Sequence, residues 1–299
     1  MGTILADDMK WQMTTFSNRI ARVTLLVLAT LGLPGCYIMQ AAQGQLSVMA
    51  KRERLDKVIA DPNTAENTRQ RLKLLASARE FASRSLNLPD NGSYRSYVAL
   101  KDDYVVWNVF ATPRYSVEPN SWCFPVAGCV VYRGYFKQSA AERYARRTRL
   151  RGRDATVAGA AAYSTLGHFD DPILSSMLRW SDAQVLGTLF HELAHQVIYV
   201  PGEATFNESF AAVVEEEGVT RWLLAHPSPK MLESWRSARE RSKQFSQLLL
   251  DTRERLRGLY SSGLRDDELA LRKPQEFGRM KFEYWQLKES WQGYAGYDG

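Results

Sequence analysis

The amino-acid sequence predicts an α+β fold, mostly helical, with a small antiparallel sheet ahead of its principal helices. Three features point there. Apolar residues recur at helical spacing from Leu46 to Leu88, and helical texture returns from Ser139 to the C-terminus. Between these stretches, from Tyr104 to Phe136, the residues turn β-branched and aromatic. No Ser- or Gly-rich linker and no internal repeat separates the regions. One core is therefore expected, and 299 residues are enough to bury it.

The chain opens on an address. Val23 to Leu33 is an uncharged apolar run behind Arg19 and Arg22. Crossing a bilayer takes about 20 apolar residues, so this shorter run reads as a secretory signal over residues 1–35. Asp7 and Asp8 fit such a signal poorly, and a start at Met13 instead of Met1 gives the cleaner one. Leu33-Pro34-Gly35-Cys36 resembles the lipobox of bacterial lipoproteins, with Pro34 the unusual occupant. That resemblance implies cleavage before Cys36 and its acylation. The anchor would hold the protein to the membrane, periplasm-facing, and Tyr37 after the Cys leans towards the outer membrane. The other reading is a soluble secreted protein with a chance Cys.

Cleavage leaves 36 basic and 31 acidic residues, a net +5 over 264 residues. The basic residues form no block, so the sequence predicts no nucleic-acid partner. Cys123 and Cys129 bracket Phe-Pro-Val-Ala-Gly, which contains its own turn. Outside the cytoplasm, a disulfide is expected there before a metal site.

The mature chain, 36–299, reads as one domain. An N-terminal helical pair, about 46–88, is broken by Asp61-Pro62-Asn63. Tyr104–Thr112 and Val130–Phe136 supply two or more strands around the Cys pair. The C-terminal segment carries Phe282, Tyr284, Trp285 and Trp291, and the two tryptophans, near helical spacing, are expected to pack into the core.

Chemistry concentrates in Trp180–Leu224. His191-Glu192-Leu193-Ala194-His195 is an H-E-x-x-H pattern, expected by chance in roughly three of a thousand chains of this composition. Ser181-Asp182-Ala183-Gln184 reads as a capping box and Pro201-Gly202 as a terminator, predicting a helix from Asp182 to about Tyr199. Leu186, Leu189, Leu193, Val197 and Val200 then fall on one side. His191 and His195 fall opposite, one turn apart, as two nitrogen ligands of a single zinc ion require. Glu192 projects away from both, within reach of a water at the metal without being a ligand.

A catalytic zinc takes a third protein ligand and keeps one position open. His168 and His226 are candidates. Glu208, in Asn207-Glu208-Ser209-Phe210-Ala211, is the better one, because a helix returning after Pro201-Gly202 brings its first turn beside the histidines. Glu208 has a competing explanation, since Thr205-Phe-Asn-Glu208 could itself be a capping box.

HELAH followed by NESFA resembles the gluzincin metallopeptidases, whose third ligand is a Glu on a neighbouring helix; the spacing from His195 to Glu208 is shorter here than in the large branches. Together with CYIMQAAQGQL, CFPVAGCVVYRGYF and AYSTLGHFDDPIL, the chain is similar over nearly all of 36–299 to a bacterial family of predicted zinc aminopeptidases, often lipoproteins. The resemblance implies a zincin-like pair of active-site helices, one Zn(2+) per chain and a peptide substrate. Glu192 would act as general base and then acid. Tyr163 and His168 are candidates for stabilising the oxyanion, and Glu203 and Glu215 for binding the substrate α-ammonium. Glu215 could equally orient a ligating imidazole. The rival reading is a non-catalytic envelope lipoprotein, a scaffold or pseudoenzyme with a structural metal site; a fourth ligand, His168 or His226, would mark it.

Overall fold

The computed structural model describes residues 37–124 and 128–298. The predicted signal segment and Cys36 lie outside the described residues. The chain divides into two units, Met1–Val48 and Met49–Gly299. Of the first, residues 37–48 are described and belong to helix α1 (37–49). Among the described residues no helix is long and apolar enough to cross a membrane.

The second unit is mostly helical with three small sheets, an α+β fold. Its first strand, β1 (Glu53–Arg54), leads into α2 (Leu55–Ala60) and α3 (Glu66–Leu86). The break between these helices falls at Asp61, whose carboxylate accepts from the Asn63 backbone at 2.8 Å. β1 pairs antiparallel with β2 (Ser96–Val98), and β2 pairs parallel with β8 (Ile173–Leu174).

The second sheet has the order β6-β3-β7, all antiparallel: β3 is Val106–Pro113, β6 Arg133–Tyr135 and β7 Arg153–Ala160. β7 pairs with β3 along its whole length, from Val106↔Ala160 to Pro113↔Arg153. Its sequence, Arg-Asp-Ala-Thr-Val-Ala-Gly-Ala, is rich in small residues that carry little strand signal, so the helical reading after Ser139 passed over it. The partner supplies what the composition lacks: the Tyr104 ring covers Gly159 so closely that a Cβ there would lie 2.3 Å from it. The third sheet is the hairpin β4 (Trp122–Phe124) and β5 (Gly128–Val130), closed by a Cys123–Cys129 disulfide. Helix α4 (Gln138–Leu150) packs on the second sheet.

A short 3-10 helix, Ser175–Arg179, then leads to α5 (Asp182–Ala194), α6 (Ala204–Ala225), α7 (Pro229–Tyr260) and α8 (Asp266–Ser290). α5 is the hub, packed against α3, α6 and α7. Its Leu186, Leu189, Phe190 and Leu193 are fully buried against a core that includes Leu72, Leu75 and Ala78 of α3. Burying each such side chain contributes about 1.5–3 kcal/mol.

α5 begins where the capping signal puts it. Ser181 accepts from the Gln184 backbone and the Gln184 side chain reaches back to Ser181. Arg71 of α3 fastens the same end, donating to the Trp180 carbonyl at 2.5 Å and pairing with Asp182 at 3.1 Å. The helix stops at Ala194, about a turn earlier than the periodicity predicts. Val197 and Val200 therefore leave the buried stripe and are exposed, together with Ile198 and Tyr199.

Trp285 also departs from expectation: it is 55% exposed and stacks on Phe282, 57% exposed, at 6.0 Å. Trp291 is half-buried and donates to Gln244 at 2.6 Å.

Candidate metal centre

The buried stripe of α5 fixes the opposite face, so His191 and His195 project together towards α6. Their rings lie 4.9 Å apart, nearly perpendicular. Glu208 arrives from the second turn of α6, with its carboxylate 3.3 Å from His191 Nε2 and 3.7 Å from His195 Nε2. Ligand atoms from these three residues all lie within 4.8 Å of one another. Glu208 is not engaged in a helix cap, because α6 starts after Glu203 and Thr205 is already inside it.

Glu215 follows Glu208 by two turns on the same face of α6. Its carboxylate takes the other ring nitrogen of His191, at 3.0 Å. With its proton on Nδ1, the ring would be held by Glu215 and leave Nε2 for a metal ion. Space for it comes from Gly187, where a Cβ would sit 3.0 Å from the Glu215 carboxylate and 3.2 Å from Trp235. The connection between the helices is held by Asn207, fully buried, which accepts from the Val200 N–H at 2.8 Å and donates to the Val200 carbonyl at 2.9 Å.

Glu192 is half-buried between this pair and two loops. Burial is the main cause of its pKa rising from 4.5 to about 7; the positive charge of His191 opposes the shift, Glu208 and Asp171 add to it, and a Ser164 hydrogen bond lowers it. Burial pulls the His191 pKa down, but the Glu215 hydrogen bond and the charges of Glu192, Glu215 and Glu208 more than reverse this. Burial lowers the His195 pKa, keeping that ring neutral. The donor set tests well against zinc. Two imidazoles and a carboxylate are the ligand types zinc takes, and His195 Nε2 lies 3.7 Å from the Glu208 carboxylate.

Neither alternative third ligand joins the group. His226 lies at the far end of α6, eighteen residues from Glu208 and so about 27 Å along the axis, stacked on Trp222 at 4.0 Å. His168 is exposed on the loop between β7 and β8. Tyr163, next to Ser164, meets Phe136 edge to face at 6.1 Å. Glu203 is exposed at the start of α6, while Glu215 is engaged by His191.

Three residues near the site carry no sequence signal for it. Asp171, buried, accepts from the Thr165 N–H at 2.8 Å and hydroxyl at 2.9 Å, pinning the loop that bears Ser164. Tyr132, between β5 and β6, is 40% exposed, yet partial desolvation raises its phenol pKa, with the charges of Tyr199, Glu208 and Glu192 adding. Tyr94 is the third. All belong to segments distant in sequence from the His pair, so no local spacing could reveal them.

The family model described as "Putative aminopeptidase" matches residues 36–299, and the chain belongs to that family. No curated protein matches it, and no solved structure does.

Proposed function

We propose that this member of the aminopeptidase family is a zinc-dependent metallopeptidase that hydrolyses peptide bonds in the bacterial cell envelope. The observation that carries the reading is the convergence of His191, His195 and Glu208 within 4.8 Å, beside a carboxyl whose pKa is about 7.

His191, His195 and Glu208 would hold the ion. Zinc supplies Lewis acidity, which brings water to ionise near neutral pH and draws electron density from a carbonyl oxygen. Glu192 takes the proton from the attacking water and passes it to the leaving amine; the burial that raises its pKa in the zinc-free fold favours its holding that proton in between. Glu215 fixes the His191 ring and is committed there, so the substrate α-ammonium falls to Glu203. Tyr132 joins Tyr163 and His168 as a candidate donor to the developing oxyanion. The absence of a fourth His, Cys, Asp or Glu from the group, among the described residues, supports an open catalytic site over a closed structural one. Lipidation at Cys36 would hold the enzyme at the membrane, facing the periplasm.

The full chain, purified in detergent, should bind one zinc and release amino acids from unblocked peptides. Glu192→Gln should keep the zinc and lose about a thousandfold or more in kcat. A fully active variant would refute the assignment of the base. One observation favours a second reading as a scaffold: the exposed Phe282–Trp285 pair on α8. Partner capture that needs this pair but survives zinc removal would support it.

A further inference from the structure

The loop between α3 and β2 is built at some expense. Arg79, 1% exposed, reaches from α3 into that loop and donates to the carbonyls of Ser93 at 2.8 Å, Pro89 at 2.7 Å and Asn91 at 3.1 Å. Gly92 passes so near Asp170 that a Cβ would lie 2.4 Å from its carboxylate. Gln196, just past the end of α5 and four residues after Glu192, donates to the Ser93 hydroxyl at 3.2 Å and accepts from Asn91 at 2.7 Å. The next residue, Tyr94, takes the left-handed backbone conformation at φ 61°, and its N–H donates to the Asp171 carbonyl at 2.6 Å. A tyrosine there costs on the order of 1–3 kcal/mol and persists only where its surroundings over-determine it. Leu166, on the facing loop, is also left-handed, at φ 55°.

What this arrangement holds is one hydroxyl. Tyr94 is 2% exposed, and its OH has no hydrogen-bond partner among the described residues. Leaving a buried donor unmatched is costly unless it serves something. The groups whose charge reaches it are Glu192, Asp171 and Tyr163. Both Asp171 oxygens already accept from Thr165. Glu192, with a Ser164 hydrogen bond on one side, is the carboxylate with the greater accepting capacity left. Burial keeps the Tyr94 phenol well above its ordinary pKa, so it stays a neutral donor throughout the working range.

We infer that Tyr94 is a positioning residue for the general base: its buried hydroxyl donates to the Glu192 carboxylate in the working enzyme and fixes the direction in which that carboxylate faces the water. The phenol keeps its proton throughout. The inference rests on the peptidase reading for its kinetic part, and for the rest on a buried, unpartnered hydroxyl in a loop that Gln196 ties to the end of the helix bearing Glu192.

The test uses Tyr94→Phe in the full chain, which keeps the ring and its packing. The expected result is a fall in kcat of about tenfold, with KM, zinc content and melting temperature unchanged or the last slightly raised. A variant with full kcat overturns the inference, as does one whose loss tracks lowered stability or raised KM. A double-mutant cycle on thermal unfolding, Tyr94→Phe against Glu192→Ala in zinc-free protein, needs no activity. The two changes should be non-additive, and additivity counts against the contact. If the wild-type chain proves inactive with zinc bound, the peptidase reading fails, while this cycle still decides whether Tyr94 and Glu192 interact.

Discussion

The helix pairs α5–α6 and α7–α8 are both antiparallel, yet they are joined by different physics. On α5–α6 the glycines are contact points: a Cβ at Gly218 would lie 2.6 Å from the Phe190 ring, and one at Gly187 3.0 Å from Glu215. On α7–α8, Gly258 and Gly278 face open space, with nothing within 4 Å. Eight of the thirteen residues of α5 are buried, against Leu269 alone on α8. Charge and ring contacts tie α8 to α7: Arg255 pairs with Glu276 at 3.1 Å and Glu283 at 2.8 Å, and Phe245 meets Tyr284 edge to face at 5.6 Å. Close apolar packing fixes side-chain positions to fractions of an ångström, which a ligand set needs; partly exposed ion pairs hold helices together with more tolerance. The contrast assigns chemistry to the first pair and support to the second.

That contrast can be broken by experiment. Arg79→Met, behind the site, leaves three loop carbonyls without their buried donor and should cost about 3 kcal/mol in urea unfolding; a loss below 1 kcal/mol would show that the loop is held by other means.

Glu192 predicts a pH dependence with a definite sign. Its pKa rises from 4.5 to about 7 in the zinc-free fold, so the folded state retains a proton that the unfolded chain gives up. The associated stability is complete below pH 4.5 and disappears as pH climbs through 7. Zinc-free wild type should lose about 2–3 kcal/mol across this window relative to Glu192→Gln. Parallel curves for the two proteins would place Glu192 in water.

Glu215→Gln removes the carboxylate that orients His191 and should weaken zinc binding by about 10–100-fold in a chelator competition, with little change in fold. Unchanged affinity would leave Glu215 free for substrate. The smallest effect belongs to the other helix pair: Arg255→Ala should cost about 1 kcal/mol, shrink in high salt and leave kcat/KM untouched. A loss of activity there would erase the division of labour.

Much of this was legible in the sequence because it is local. The spacing of His191 and His195, the Ser181–Gln184 capping box and the break at Asp61 are each written within a few residues. Glu208 was within reach because a Pro-Gly turn forces the next helix back. Features fixed by partners far along the chain were not legible. The early end of α5 places Val197 and Val200 in solvent, although their periodicity matches the buried leucines. β7 owes its strand form to β3, and Trp285 is aromatic yet exposed. Arg79, Tyr94 and Asp171 act through contacts that cross from one loop to another, and nothing in the surrounding residues announces such a meeting.

Asn207 grips both polar groups of the Val200 peptide, so the span from His195 to Glu208 is set by the polypeptide itself. Loading with metal should then proceed without refolding, and the chain emptied by chelation should reload quickly and keep its far-ultraviolet circular dichroism. Under the proposed export, the ion can be captured after delivery, from whatever the compartment offers.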